Sequence, residues 1–119
     1  MNSEFIDIII PCGDSLEELK VTINSLLLQK EFINNIFIII SGTNKKNLKI
    51  EIKEYIYNSK KNFKINVLED NSKLNTPGSA RNCGIIKSSY TSATFIGFID
   101  SSMSVNKNWL SSFYRDKDI

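Results

Sequence analysis

The sequence contains no histidine. That absence removes histidine general bases, Ser–His triads and histidine-ligated metal sites together, because no other side chain titrates near neutral pH unperturbed. Cysteine is nearly as scarce. Cys12 and Cys83 have no CxxC spacing, which excludes a thiolate zinc site and a disulfide scaffold and fits a reducing, cytoplasmic setting. Both read as small buried hydrophobes rather than reactive thiols. With two prolines and five glycines, no linker, repeat or low-complexity segment interrupts the chain. No apolar run approaches the roughly 18 residues needed to cross a membrane. The opening Met1-Asn2-Ser3-Glu4 lacks the basic segment of a secretory signal. Charge of one sign is also missing: 15 Lys and Arg face 13 Asp and Glu, for a net +2. That balance argues against nucleic acid as a partner. The densest basic stretch, residues 45–64, holds seven Lys and two Glu and reads as a solvated helix face.

What is present is globular: 119 residues, 41% hydrophobic and 24% charged. This fits one domain spanning 1–119, able to bury about two-thirds of the surface its unfolded chain exposes. Residues 5–10 are an isoleucine-rich run that reads as a buried strand stopped by Pro11. Ser15 and Glu18 are spaced for a capping box. Leu16, Leu19, Ile23, Leu26 and Leu27 follow at helical spacing, predicting a helix that ends at 29–31. Further strands are expected at 36–40, 63–68 and 94–99, and helices at 48–58, 77–89 and 106–114. Thr76 and Pro77 suit the cap and first turn of the third helix.

Alternating strands and helices, βαβαβαβα, imply a parallel sheet with right-handed crossovers. Such sheets bind ligands beyond the carboxyl ends of their strands, where the strand order reverses. The loops there, 11–15, 41–47, 70–77 and 100–106, hold Asp14, Asp70, Asn71, Asn75 and Asp100. The start of the third helix offers free amides and the positive end of the helix dipole, with Gly78 and Ser79 permitting close approach. Arg81, one turn in, has a planar fork suited to phosphate. Its alternative is a structural ion pair with Asp70 or Asp100. Neither GxxxxGK[ST] nor GxGxxG is present, which removes the main support for phosphate-loop and dinucleotide readings.

The run Asn75-Thr76-Pro77-Gly78-Ser79-Ala80-Arg81-Asn82-Cys83-Gly84-Ile85 resembles the "N…G…ARN.GI" helix start of family 2 glycosyltransferases. Ile8-Ile9-Ile10-Pro11, with the later Ser25-Leu26-Leu27-Leu28-Gln29, is similar to that family's first βα unit. Phe95-Ile96-Gly97-Phe98-Ile99-Asp100 resembles the strand leading into its DxD motif, and Asn108-Trp109-Leu110 the next helix start. The blocks occur in order across residues 5–110. The resemblance implies a Rossmann-like GT-A three-layer sandwich, truncated relative to the full family domain. It implies a nucleotide-diphosphate sugar such as a UDP-sugar as donor, with Mg or Mn held at Asp100. It assigns the donor pocket to Pro11, Cys12, Asp14, Ser41, Asn75, Gly78, Arg81 and Asp100.

Three departures fall on working positions. Gly13-Asp14 stand where the family has an aromatic and Asn, Ser41-Gly42 where it has an acidic pair, and Asp100-Ser101-Ser102 where it has DxD. The family's acceptor half and catalytic base follow the region matched here. No catalytic residue is assigned: Asp116 and Asp118 alone follow Asp100 among the acids, and they are poor candidates for a base. The alternative is a non-catalytic module that keeps the fold for binding or assembly, with homo-oligomerisation through uncovered apolar surface. A signalling receiver, with Asp14 and Asp70 as its acidic pocket, would need a fifth strand and leaves the ARN block unexplained.

Overall fold

The structure is a computed structural model describing residues 5–13, 15–59 and 64–116. Four strands, β1 (Ile6–Cys12), β2 (Ile33–Ile40), β3 (Ile65–Glu69) and β4 (Phe95–Phe98), form one sheet in the order β3-β2-β1-β4. Every pairing is parallel. The helices are α1 (Leu16–Leu27), α2 (Lys45–Asn58), α3 (Pro77–Ser88) and α4 (Trp109–Asp116), with a single 3₁₀ turn at Lys30–Phe32.

The sheet is covered unequally on its two faces. Ile8, Ile10 and Cys12 of β1 and Ile36, Ile38 and Ile40 of β2 point to one face. There they pack with Leu19, Ile23 and Leu26 of α1, Leu48, Ile52 and Ile56 of α2, and Leu110 of α4. Ile9, Phe37 and Ile39 point to the other face, against Ala80 and Cys83 of α3. Both faces of β1 are therefore buried, which is why its sequence is continuously apolar instead of alternating. Each fully buried isoleucine contributes about 1.5–3 kcal/mol. Cys12 and Cys83 lie on opposite faces of the sheet.

Pro11 does not stop β1, which runs on through Cys12. The ladder to β4 covers only Ile6–Ile9, while the ladder to β2 continues to Cys12. Ile9 accepts from Ile99 on the β4 side and Cys12 from Ser41 on the β2 side. Alternation then turns the nitrogen of Pro11 toward β4, beyond the last paired residue, where no donor is required. β2 begins at Ile33 rather than 36 because its polar start is hydrogen-bonded. Asn34 Nδ2 donates to Asp7 at 3.0 Å, and Asn35 Oδ1 accepts from Asn66 at 3.4 Å. α2 starts at Lys45, three residues early, on a polar first turn that carries no apolar periodicity. β3 starts at Ile65; the expected Phe63 lies outside the described residues. α4 starts at Trp109 rather than 106.

Of the capping box expected at α1, the Ser15 half is present, accepting from the Glu18 amide at 3.4 Å. A reciprocal box forms instead at α3: Thr76 Oγ1 accepts the Ser79 amide at 3.2 Å, and Ser79 Oγ accepts the Thr76 amide at 2.8 Å. The buried carboxylate of Asp7 was not singled out from sequence. It accepts from Ser88 Oγ and Thr91 Oγ1, each at 2.5 Å, besides Asn34. These bonds tie β1 to the end of α3, at the amino-terminal end of the strands, opposite the ligand loops.

Candidate functional site

Strands β1, β2 and β3 progress outward in one direction, and β4 returns to the other side of β1. The reversal places a crevice between the ends of β1 and β4, and a cleft of about 430 Å³ opens there. The end of β1 and the residue after it contribute Pro11, Cys12 and Gly13, and the loop after β2 contributes Ser41 and Gly42. The start of α3 adds Asn75, Pro77 and Arg81, and the end of β4 adds Asp100, Ser101 and Ser102. Six predicted positions, Pro11, Cys12, Ser41, Asn75, Arg81 and Asp100, are thus brought together from four loops. Gly78 is not among the lining residues; a β-carbon there would meet only Thr76 Oγ1, at 3.8 Å, so crowding does not demand glycine. Asp14 lies outside the described residues.

Arg81 Nη2 reaches Asp100 Oδ1 at 3.3 Å, so of the two carboxylates open to it the guanidinium takes Asp100. The side chains are 41% and 60% exposed. Such a pair contributes about 0–1 kcal/mol, so an anionic ligand would displace Asp100 from Arg81 at little cost. Asn75 has φ of +51° and accepts the Gly42 amide on Oδ1 at 3.0 Å. Gly42 itself has φ of +101°. The two residues lock the β2 end to the α3 start through left-handed turns that favour Asn and Gly.

Asp70 is buried and does not face the cleft. It accepts from Ser79 Oγ and, at 2.9 Å, from the Ser72 amide, while Lys45 Nζ donates to its carbonyl at 2.7 Å. Burial alone would raise its pKa. The bonds from Ser79 and Ser72, with Lys45 nearby, outweigh burial and hold the carboxyl below its ordinary 3.8. Asp70 therefore organises the β3–α3 loop, which, with four described strands, leaves the receiver reading without its acidic pocket. Ser79, expected to clear space for a ligand, instead points inward to Asp70.

A recess of about 260 Å³ adjoins the cleft, sharing Gly13, Ser41 and Gly42, and adds Thr43 and Asn44 from the β2–α2 loop and Glu51 of α2. Glu51 was missed from sequence because a charged residue on an exposed helix looks like solvated surface. A larger recess, about 480 Å³, lies between β3 and α3, where Asn71 lines it. It is away from the strand reversal and includes neither Arg81 nor Asp100. Trp109 is half-buried and packs on the core, its ring 3.5 Å from a β-carbon built on Gly97, as a core anchor.

Residues 7–117 match glycosyl transferase family 2. The chain belongs to that family. Its fold is the GT-A fold, shared at 20% identity with S. aureus TarS 1-349, with a TM-score of 0.73 over 96% of this chain. The same protein crystallised with UDP-GlcNAc gives 0.74 at 20% identity, also over 96% of this chain. The chain spans 32% of TarS 1-349 and 31% of that complex, about a third of each. No curated protein matches the sequence. Among the described residues, no helix is long and apolar enough to cross a membrane, and no cluster of three or more Cys, Asp or Glu could hold a metal ion.

Proposed function

We propose that residues 1–119 form the donor-binding portion of a glycosyltransferase, holding a nucleotide-diphosphate sugar of the UDP-sugar type for transfer to an acceptor. The observation that carries this reading is the convergence of Arg81, Asp100 and the capped start of α3 on the cleft at the strand reversal. UDP-GlcNAc bound to the similar TarS structure supports the choice of ligand class. In this reading Pro11, Cys12 and Ser41 flank the nucleoside, and Asp14 is assigned to the same pocket from sequence alone. The recess at Thr43 and Glu51 receives the base, while Asn75, Gly78 and Arg81 belong to the diphosphate side. Arg81 leaves Asp100 and forks onto phosphate oxygens.

The cleft's donor set suits a hard divalent cation only as the partner of a bound diphosphate. Asp100 is the one carboxylate among its described lining residues, and Mg-type ions accept one or two carboxylates alongside phosphate and water. Asp100 would hold Mg or Mn with oxygens of the Asp100-Ser101-Ser102 turn, and the ion would neutralise charge on the departing diphosphate. A cytoplasmic setting belongs to the same reading, since nothing in it requires a disulfide.

The second reading is a module that binds or assembles without transfer. Ser102 in place of the second DxD carboxylate favours it, as does the apolar edge of β4, where Ile96 is 40% and Phe98 45% exposed. Isothermal titration with UDP and GDP, with and without Mn, tests the donor site, which a module kept only for assembly would lack. Mn-dependent binding supports the donor site; no binding at millimolar ligand by the folded protein overturns it.

A further inference from the structure

The loop carrying Asp100-Ser101-Ser102 is held from beneath by polar side chains of α1. Thr22 is fully buried. Its hydroxyl lies 2.8 Å from the Ser101 carbonyl and 2.6 Å from the Met103 carbonyl, one proton shared between them. Ser25, one turn on, accepts the Val105 amide on Oγ at 3.1 Å and donates to the Thr22 carbonyl at 2.9 Å. Gln29 follows the end of α1 and is 1% exposed. Its Nε2 donates to the Asn106 carbonyl at 2.9 Å, and its Oε1 accepts the Leu110 amide at 2.8 Å. The amide orientation is determined by these partners, since a flip would set like against like. Gln29 thereby satisfies an orphan amide in the first turn of α4 from a distant part of the chain.

The loop between β4 and α4 has no ladder past Ile99. Its own backbone bonds are local turns, Met103 N–H to the Asp100 carbonyl at 3.1 Å and Trp109 N–H to the Asn106 carbonyl at 2.9 Å, and Thr22, Ser25 and Gln29 tie those turns to the rest of the fold. They reach the loop at 101, 103, 105, 106 and 110. Ser25 and Gln29 belong to the family-like block of the first βα unit, and nothing in the donor reading uses them.

We propose that Thr22, Ser25 and Gln29 are positioning residues that set the Asp100–Ser102 turn for the diphosphate and its cation. This rests on the donor-site reading. With a single carboxylate at the turn, no second one compensates for a displaced Asp100, so affinity for the charged end of the ligand depends on where α1 holds the loop. The three clamp residues line neither the cleft nor the recess assigned to the nucleoside, so the nucleoside end is left untouched.

The test uses the whole chain with Thr22→Val, Ser25→Ala, Gln29→Met and the conservative Thr22→Ser. Amide hydrogen exchange is read at residues 101–110 and in β1, and affinity is titrated for uridine alone and for UDP with and without Mn. We expect faster exchange at 101–110 with β1 protection kept, uridine affinity within about twofold of the parent, and a tenfold or greater loss of the Mn-dependent gain for UDP. Thr22→Ser restores both readouts. Unchanged exchange overturns the clamp. Faster exchange with an intact Mn-dependent gain overturns its role at the site. Equal loss for uridine and UDP reduces it to general stability. Where Gln29→Met fails to fold, Ser25→Ala and the Thr22 pair carry the comparison. A parent that shows no Mn-dependent UDP binding overturns the donor reading and the positioning role together, whereas a binding parent with unaffected variants overturns the positioning role alone.

Discussion

Arg81 and Asp100 are both substantially exposed, at 41% and 60%, so their ion pair contributes little to folding. Arg81→Ala is expected to shift the melting temperature by no more than a few degrees. The same change weakens UDP binding by about tenfold or more, as measured by titration, because a charge-assisted fork to phosphate is lost. Asp100→Ala abolishes the Mn dependence of that binding. Asp70 behaves in the opposite way. Its folded pKa lies below the ordinary 3.8. The stability it contributes is therefore present above the unfolded value and lost as pH falls through the folded one. Asp70→Asn should cost about 1–3 kcal/mol at neutral pH, measured by urea unfolding, and should flatten the loss of stability below pH 4. Cys83 has its pKa raised, first by burial and then by Asp70. It is expected to alkylate at neutral pH more slowly than an exposed peptide thiol.

At the scale of elements, α3 must lie close on β1 for Arg81 to reach the cleft, and Gly84 permits it. A β-carbon at 84 would stand 2.5 Å from Ile9 Cγ2 and 3.0 Å from Ile9 Cγ1. Ile9 is fully buried and cannot swing away. Gly84→Ala would gain about 1 kcal/mol of helix propensity, yet overpacking costs typically 1–3 kcal/mol. The expected result is net destabilisation by thermal melting, with UDP affinity reduced because the helix start is displaced. Alanine at Gly78, where the nearest side-chain atom is 3.8 Å away, is the packing control and should leave the melting temperature nearly unchanged. The glycine of the ARN block was legible as a motif. Its reason, the branched side chain of Ile9 directly beneath, was not, since nothing in sequence pairs residues 9 and 84. The same limit hid Thr22, Ser25 and Gln29, whose partners lie some 80 positions away.

For the molecule as a whole, the sheet ends at β4 on one side among the described residues, and the strand offers Ile96 and Phe98 there without a charged side chain. An unprotected apolar edge invites pairing with another chain. The 119-residue chain should show concentration-dependent association in sedimentation velocity, suppressed by Phe98→Lys with its melting temperature kept. A monomer at all concentrations would remove the assembly reading's structural support.

The order of strands and helices was determined locally, because buried isoleucine runs and helical leucine spacing are short-range patterns that propensity and periodicity report directly. The ARN block and the Asp100 strand end likewise pointed to loops that meet at the cleft. What only tertiary structure decided was which residues meet. It paired Arg81 with Asp100 rather than Asp70 and turned Ser79 inward. It carried β1 through Pro11, and it brought Glu51 to the cleft's recess and Gln29 beneath the Asp100 loop. The physical reason is that packing, hydrogen-bond satisfaction and strand order are long-range conditions. A charged or amide side chain on a helix has the same local signature whether it faces water or holds a distant loop.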